Sequence, residues 1–280
     1  MGDVTLPGQG TYVDEFGVQW GFKKLVGWWD DTATTGKVTQ NAYEDGGWAD
    51  EAFEEARSLV VEGIAHGDPL TIPAAIDRLK AAIPARLFEP LVVEEAGKVR
   101  HVLARKDGKP TIVWDGWKTL TFSIQLIASD TRLLAGDGST AYAHSVSVGL
   151  PFSSGGVQIG NGTSLQAPFQ ITATVVSGSV TITNEGNTTP PTLITLTGPL
   201  PNPVIRTTDG QLMQFNITLD SGQALAVDLD AKTVKLNGVN RRNALVGAWI
   251  VPEAGTVLTF DADSYNPDAL MTVQWSDAWR

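Results

Sequence analysis

The stretch Thr119-Leu120-Thr121-Phe122-Ser123-Ile124-Gln125-Leu126-Ile127-Ala128 decides how the first half of the chain is read. Leu120, Phe122, Ile124, Leu126 and Ala128 alternate with Thr119, Thr121, Ser123, Gln125 and Ile127. A period of two puts one face in a core and leaves the other mostly polar, the pattern of a half-buried strand. Shorter runs of the same kind surround it. Phe16, Val18, Trp20 and Phe22 alternate, and with Lys24 to Trp29 they predict an opening hairpin. Gly36 to Ala42 offers another strand, Leu59-Val60-Val61 with Ile64 a well-buried one, and Leu87 to Val93, Lys98 to Arg105 and Thr111 to Trp114 three more. Asp30 to Thr35 and Tyr43 to Glu55 are polar, acidic and punctuated by glycine, as extended loops are. One helix is expected, through Pro73 to Ile83, because Ile72, Ile76, Leu79 and Ile83 fall three or four apart. Thr71 is its candidate cap, Pro73 sits where a missing N–H costs nothing, and Pro84 stops it.

Residues 129–142 have no periodicity and carry Gly136 and Gly138, so the domain boundary is placed there, giving domains 1–134 and 135–280. Beyond it basic residues become rare and short strands recur about every ten residues. The series includes Ala143 to Gly149, Phe169 to Thr174, Ser179 to Asn184, Thr192 to Thr197, Met213 to Leu219 and Ala224 to Asp228. It continues through Thr233 to Leu236, Ala248 to Val251, Thr256 to Phe260 and Met271 to Trp275. Turns such as Asn184-Glu185-Gly186-Asn187 and Asn237-Gly238 separate them, which is the cue for an antiparallel sandwich without helices. Val180, Ile182, Leu196, Phe215, Ile217, Leu225, Val227 and Trp275 are its expected core. The fold class is mainly β with one helix (α+β).

Composition narrows the function. At ~150 residues per domain, 280 residues make about two domains. The absence of cysteine removes disulfides, thiolate metal sites and cysteine nucleophiles together. With 42% hydrophobic and 18% charged residues the chain is expected to be ordered. Fourteen basic against twenty acidic residues in 1–135, and six against eleven in 136–280, give a net charge of -11 spread over both halves. Such a surface repels phosphate backbones, so specific nucleic-acid binding is not expected. Met1 to Gly10 lacks a basic stretch followed by an apolar core, and no run of ~18 apolar residues occurs. A soluble protein made in the cytoplasm, without membrane contact, is the expectation, and the glycosylation-like Asn161-Gly162-Thr163 and Asn216-Ile217-Thr218 carry little weight.

No catalytic set emerges. His66, His101 and His144 each stand alone, and no nucleophile elbow, Walker loop, Rossmann fingerprint or His-Glu-x-x-His is present. Ser154-Gly155-Gly156 to Gly162 lacks a following helix for phosphate. The acid pairs Asp30/Asp31, Asp228/Asp230 and Asp261/Asp263 lack the rest of a calcium loop and read first as solvated turns. The expectation is therefore a protein that is not an enzyme, with no catalytic residue, metal or cofactor. Nine tryptophans are many for this length. Trp20, Trp114 and Trp275 fall on alternating strands, where burial is the ordinary fate. Trp28, Trp29 and Trp48 flank the acidic loop and read as subunit contacts ahead of core or ligand positions.

The order of these features resembles the phage distal tail proteins, the siphophage-type minor tail protein family. The resemblance is carried by Phe16-Gly17-Val18-Gln19-Trp20-Gly21, Trp28-Trp29-Asp30-Asp31, Asp45-Gly46-Gly47-Trp48, Leu59-Val60-Val61-Glu62-Gly63 and Ala75-Ile76-Asp77-Arg78-Leu79. In the second half it rests on Gly178 to Asn187, Thr197-Gly198-Pro199 with Asn202-Pro203, Val234-Lys235-Leu236-Asn237-Gly238 and Val273 to Arg280. It implies a split-barrel or sandwich-like ring-forming amino-terminal domain and a galectin-like β-sandwich carboxy-terminal domain. It also implies a homo-hexameric ring at the virion tail tip, made in the host cytoplasm, joining the tail tube protein to the tail-associated hub or baseplate proteins and letting DNA pass. Trp28, Trp29, Trp48, Asp30, Asp31 and Asp45 are then the expected assembly residues. Glu44, Asp50, Glu51, Glu54 and Glu55 face a channel or a neighbour, unless the loop is simply solvated. The competing reading is a carbohydrate-binding or host-adhesion protein that uses the sandwich.

Overall fold

The computed structural model describes residues 11–83, 85–154, 174–176 and 178–280. Among the described residues the chain is mostly β with a single α-helix, and it divides into two compact units. The first runs to Ala141 and takes in Trp279 and Arg280, and the second spans Tyr142–Ala278. The expected boundary between 134 and 135 cuts the strand Leu133–Ala135, whose Leu134 and Ala135 pair with His101 and Arg100 of the first unit. The first unit therefore continues past it.

A nine-stranded sheet builds the first unit. Its spine is the strand Arg57–His66, paired antiparallel along its whole length with Thr119–Ala128. Leu59, Val61 and Ala65 from one, and Leu120, Phe122, Ile124, Leu126 and Ala128 from the other, are all buried, as the alternation requires. Gly63 lies opposite Phe122, where a Cβ would overlap the phenyl ring. The opening hairpin differs from expectation. Gln19–Val26 is one strand with a bulge between Phe22 and Lys24, and its hairpin partner is Thr11–Val13. Asp14 closes the connecting turn, its carboxylate accepting from the Phe16 and Val18 amides and from Trp20 Nε1.

The helix spans Ile72–Ala82, with Ile72 and Ala75 buried and Ile76, Leu79 and Ile83 packed against the core. Thr71 does not cap it. Its backbone is already helical and its hydroxyl donates to the Asp68 carbonyl, while the Asp68 carboxylate takes the Leu70 amide. The expected stop at Pro84 lies outside the described residues.

The second unit is an antiparallel sandwich. One sheet has six strands in the order His144–Gly149, Leu270–Trp275, Thr192–Thr197, Ala224–Asp228, Thr233–Leu236 and Val239–Asn240. The other has five, in the order Ser179–Thr181, Val257–Asp261, Val204–Thr207, Leu212–Phe215 and Leu245–Gly247. Val180, Ile182, Leu196, Phe215, Leu225, Val227 and Trp275 share one buried cluster, with Ile217 partly buried against it. Asn237 and Gly238 both have positive φ, 45° and 84°, and close a two-residue hairpin between Leu236 and Val239. Some expected strands change. Met213 to Leu219 is two strands, because the chain breaks after Phe215 and resumes at Thr218–Leu219. Ala248 to Val251 is irregular, the strand ending at Gly247, and a short 3-10 turn occupies Arg242–Ala244. Most of the expected strand Phe169 to Thr174 lies outside the described residues.

Candidate functional site

The acidic segment 30–55 is not a plain loop. Thr34–Thr35 pairs with Phe53–Glu54, and Val38–Gln40 pairs with Gly47–Ala49, so the chain runs out and back as a narrow two-stranded arm. Asp50 N donates to Lys37 O and Glu55 N to Ala33 O, which joins the two short ladders. The Asn41 amide closes the tip on Gly46 O. Among residues 33–53 all but Asn41 are exposed. A two-stranded ribbon with neither face covered is marginal in water. This one nevertheless carries large apolar side chains into solvent, with Tyr43 98% and Trp48 76% exposed and Val38 and Phe53 open as well. Eight carboxylates oppose the single Lys37 in 30–55.

The base of the arm is fixed by contrast. Arg57, 2% exposed, donates through Nη1 to the carbonyls of Gly27, Trp28 and Asp30 and through Nε to Thr131 O. Burial pulls its pKa down from the ordinary value, and the nearby carboxylates of Asp31, Asp130 and Asp30 oppose that shift. Arg280 reaches the other side of the base, pairing with Asp31 at 3.4 Å and with Glu54. Trp279 lies beneath the Arg100 guanidinium, 4.3 Å from ring centroid to Cζ. Neither Arg57 nor the Trp279-Arg280 pair carries a local sequence signal, since both act on residues far along the chain.

The expected site residues divide. Trp28 is 1% exposed and packs in the core with Leu59, so it presents no surface, and its proposed subunit contact is corrected to a core role. Trp29, its neighbour, points outward and donates Nε1 to the Glu95 carboxylate. Asp30 accepts from the Gly27 amide, and Asp31 and Glu54 are held by Arg280 at the base. Glu44, Asp45, Trp48, Asp50 and Glu51 are brought together on the outer arm, with Glu55 exposed where it rejoins the sheet. Trp114, expected in the core, is partly exposed because it pairs with Leu120 on a strand bonded only to Thr119–Ala128. Trp275 is 2% exposed and donates Nε1 to Thr183 O.

Elsewhere the polar groups serve turns and packing. The Asp228 carboxylate accepts from the Asp230 and Ala231 amides, and Asp263 accepts from Asn202 Nδ2. His144 stacks on Trp275 with Nε2 3.1 Å from Asp277 Oδ2. Among the described residues no three His, Asp or Glu side chains are placed to hold a metal ion. Nor, among the described residues, is any helix long and apolar enough to cross a membrane.

Residues 185–279 match the family described as siphovirus-type tail component, C-terminal domain. The fold of the chain is similar to that of the Dit protein of phage SPP1, with a TM-score of 0.61 at 14% identity over 94% of this chain and 99% of that one. Chains of the phage P2 baseplate in its activated conformation are more distant. The form with calcium gives a TM-score of 0.44 at 10% identity over 92% of this chain and 90% of that one. The form with strontium gives 0.45 at 11%, over 91% and 89%. No curated protein sequence matches the chain.

Proposed function

We propose that this chain is a structural component of a long phage tail tip, forming a ring between the tail tube and the hub beneath it, through which DNA passes. The observation that carries the reading is the arm. A soluble domain has little reason to hold Tyr43, Trp48, Val38 and Phe53 in water unless another surface covers them. Exposed aromatics inside a polar surround are the composition of an interface centre. The family match over residues 185–279 and the similarity to SPP1 Dit, whose structure is described as a paradigm of hub adsorption apparatus in phages infecting Gram-positive hosts, support a tail-tip role. A homo-hexamer is the expected assembly, with the tail tube protein and hub proteins as further partners.

The test is mass by size-exclusion chromatography with light scattering. The chain is expected to run as a closed oligomer, and deletion of Asn41 to Glu51 is expected to leave a folded protein with that oligomer lost or weakened. An oligomer of unchanged mass after the deletion would take the arm out of assembly.

A further inference from the structure

The second unit is acidic, yet its cations are not scattered. Of the five Lys and Arg between residues 142 and 278, four lie within 232–242: Lys232, Lys235, Arg241 and Arg242. They belong to the Thr233–Leu236/Val239–Asn240 hairpin, the turn that precedes it and the 3-10 turn that follows. All four are exposed. Their frame is firm, because the Asn237-Gly238 turn sets the register and Arg241 N donates to Val234 O, whose side chain is in the core. Val239 is exposed on the same hairpin, and the Arg242 guanidinium lies 4.9 Å from the centre of the Trp249 ring. The hairpin and the residues after it thus carry a run of cations with an apolar element, next to the Asp228 and Asp230 carboxylates of the preceding turn, on a unit that is otherwise negative.

The chain also carries the opposite surface. The arm presents Glu44, Asp45, Asp50 and Glu51 beside Tyr43 and Trp48, all exposed. We propose that the basic hairpin of one copy receives the acidic arm of a second copy. This rests on the reading that the arm mediates assembly, and it names the surface the arm meets. Carboxylates meeting Lys and Arg give complementary potentials, and Tyr and Trp rings offer faces for guanidinium groups. Two copies of net charge -11 repel as wholes, but at physiological salt that repulsion is screened beyond about 8 Å, while a direct contact of opposite patches persists. Arm and hairpin are different surfaces, so each copy gives one and receives one. A contact of that kind closes into a ring when its rotation divides the circle.

Sedimentation velocity on the whole chain tests it, with circular dichroism melts showing that each variant folds. Lys235→Glu with Arg241→Glu is expected to weaken association at least about tenfold, and Glu44→Lys with Glu51→Lys to do the same. The four changes together are expected to restore association to within about threefold, since swapped charges recreate the contact in reverse. Should the hairpin reversal unfold the chain, Lys235→Gln with Arg241→Gln reads the same interaction. Two weak pairs without restoration would mean that hairpin and arm do not meet, which overturns the proposal. Dispersal by arm deletion with no effect of the hairpin reversal overturns the docking alone and leaves the arm in assembly. A chain that stays monomeric, or an oligomer indifferent to both, overturns both.

Discussion

Trp48 and Trp275 both sit on strands flanked by turn residues, and their surroundings could hardly differ more. The Trp275 strand is bonded on both sides, to His144–Gly149 and to Thr192–Thr197, and its indole closes over a core. The Trp48 strand has one neighbour, with Thr39 opposite the tryptophan, and nothing over either face. The difference teaches that pairing alone does not bury a side chain. Burial needs a second layer, which the sandwich supplies from within the chain and the arm does not.

The largest effect expected from this contrast is on stability. Trp275→Ala should destabilise the second unit by about 3–5 kcal/mol, the range for a large core residue cut to alanine. Trp48→Ala should change the stability of the first unit by less than about 0.5 kcal/mol, as exposed positions do. Urea unfolding of the two variants checks both, and a Trp48 loss of the Trp275 size would mean that the arm is packed after all.

Next in size is the fixed base of the arm. Arg57→Met keeps the length of the side chain but leaves the carbonyls of Gly27, Asp30 and Thr131 without their donor, an expected loss of about 3 kcal/mol. Hydrogen exchange should then rise through residues 27–31 and 131, while the sandwich stays protected. Uniform loss of protection over both units would contradict so local a role.

These regions were unequally legible in the sequence, for the same physical reason. Thr119–Ala128 and the sandwich core could be read because a strand covered on one face leaves a period of two. The helix showed in its three- and four-residue spacing, although its cap did not, since Thr71 spends its hydroxyl on a carbonyl outside the helix. Within the arm Gly36 to Ala42 read as strand, where Val38–Gln40 is one, but the rest read as loop because its paired segments are two or three residues long and no face is apolar. Trp28 and Trp29 looked alike in composition, and only the three-dimensional course of the chain turns one inward and the other out. Arg57 and Arg280 leave no trace, because their partners lie far away in sequence.

A smaller effect concerns pH. Burial opposes ionisation of Asp130, but Arg132 donates to its carboxylate from Nε at 2.9 Å and Nη2 at 2.8 Å and holds its pKa below the ordinary carboxylate value. A carboxyl depressed in the folded state adds stability that is complete above its unfolded pKa and is lost as pH falls through its folded one. The first unit should therefore melt lower as pH drops below the usual carboxylate range, and Asp130→Asn should flatten that slope. An equally steep slope in the variant would assign the dependence to other groups.

The smallest expected effect is on DNA. Changing Glu44, Asp45, Asp50 and Glu51 to Lys moves each chain by eight charge units, from -11 to -3. If the chain forms the proposed ring and these acids face its opening, a variant that still assembles should retain duplex DNA at low ionic strength and release it as salt rises. Assembly without retention would turn them toward a neighbour instead.

Trp279 and Arg280 also bear on the timing of synthesis. The first unit includes these two residues, yet all of Tyr142–Ala278 is translated before them. While a chain is still on the ribosome its arm already exists, but Asp31 and Glu54 at the arm's base lack Arg280, and Arg100 has no indole beneath it. Arg57 can hold its side of the base early, but the Arg280 side closes only once residue 280 has emerged, so this second anchor lags behind the arm by the time needed to make an entire second unit.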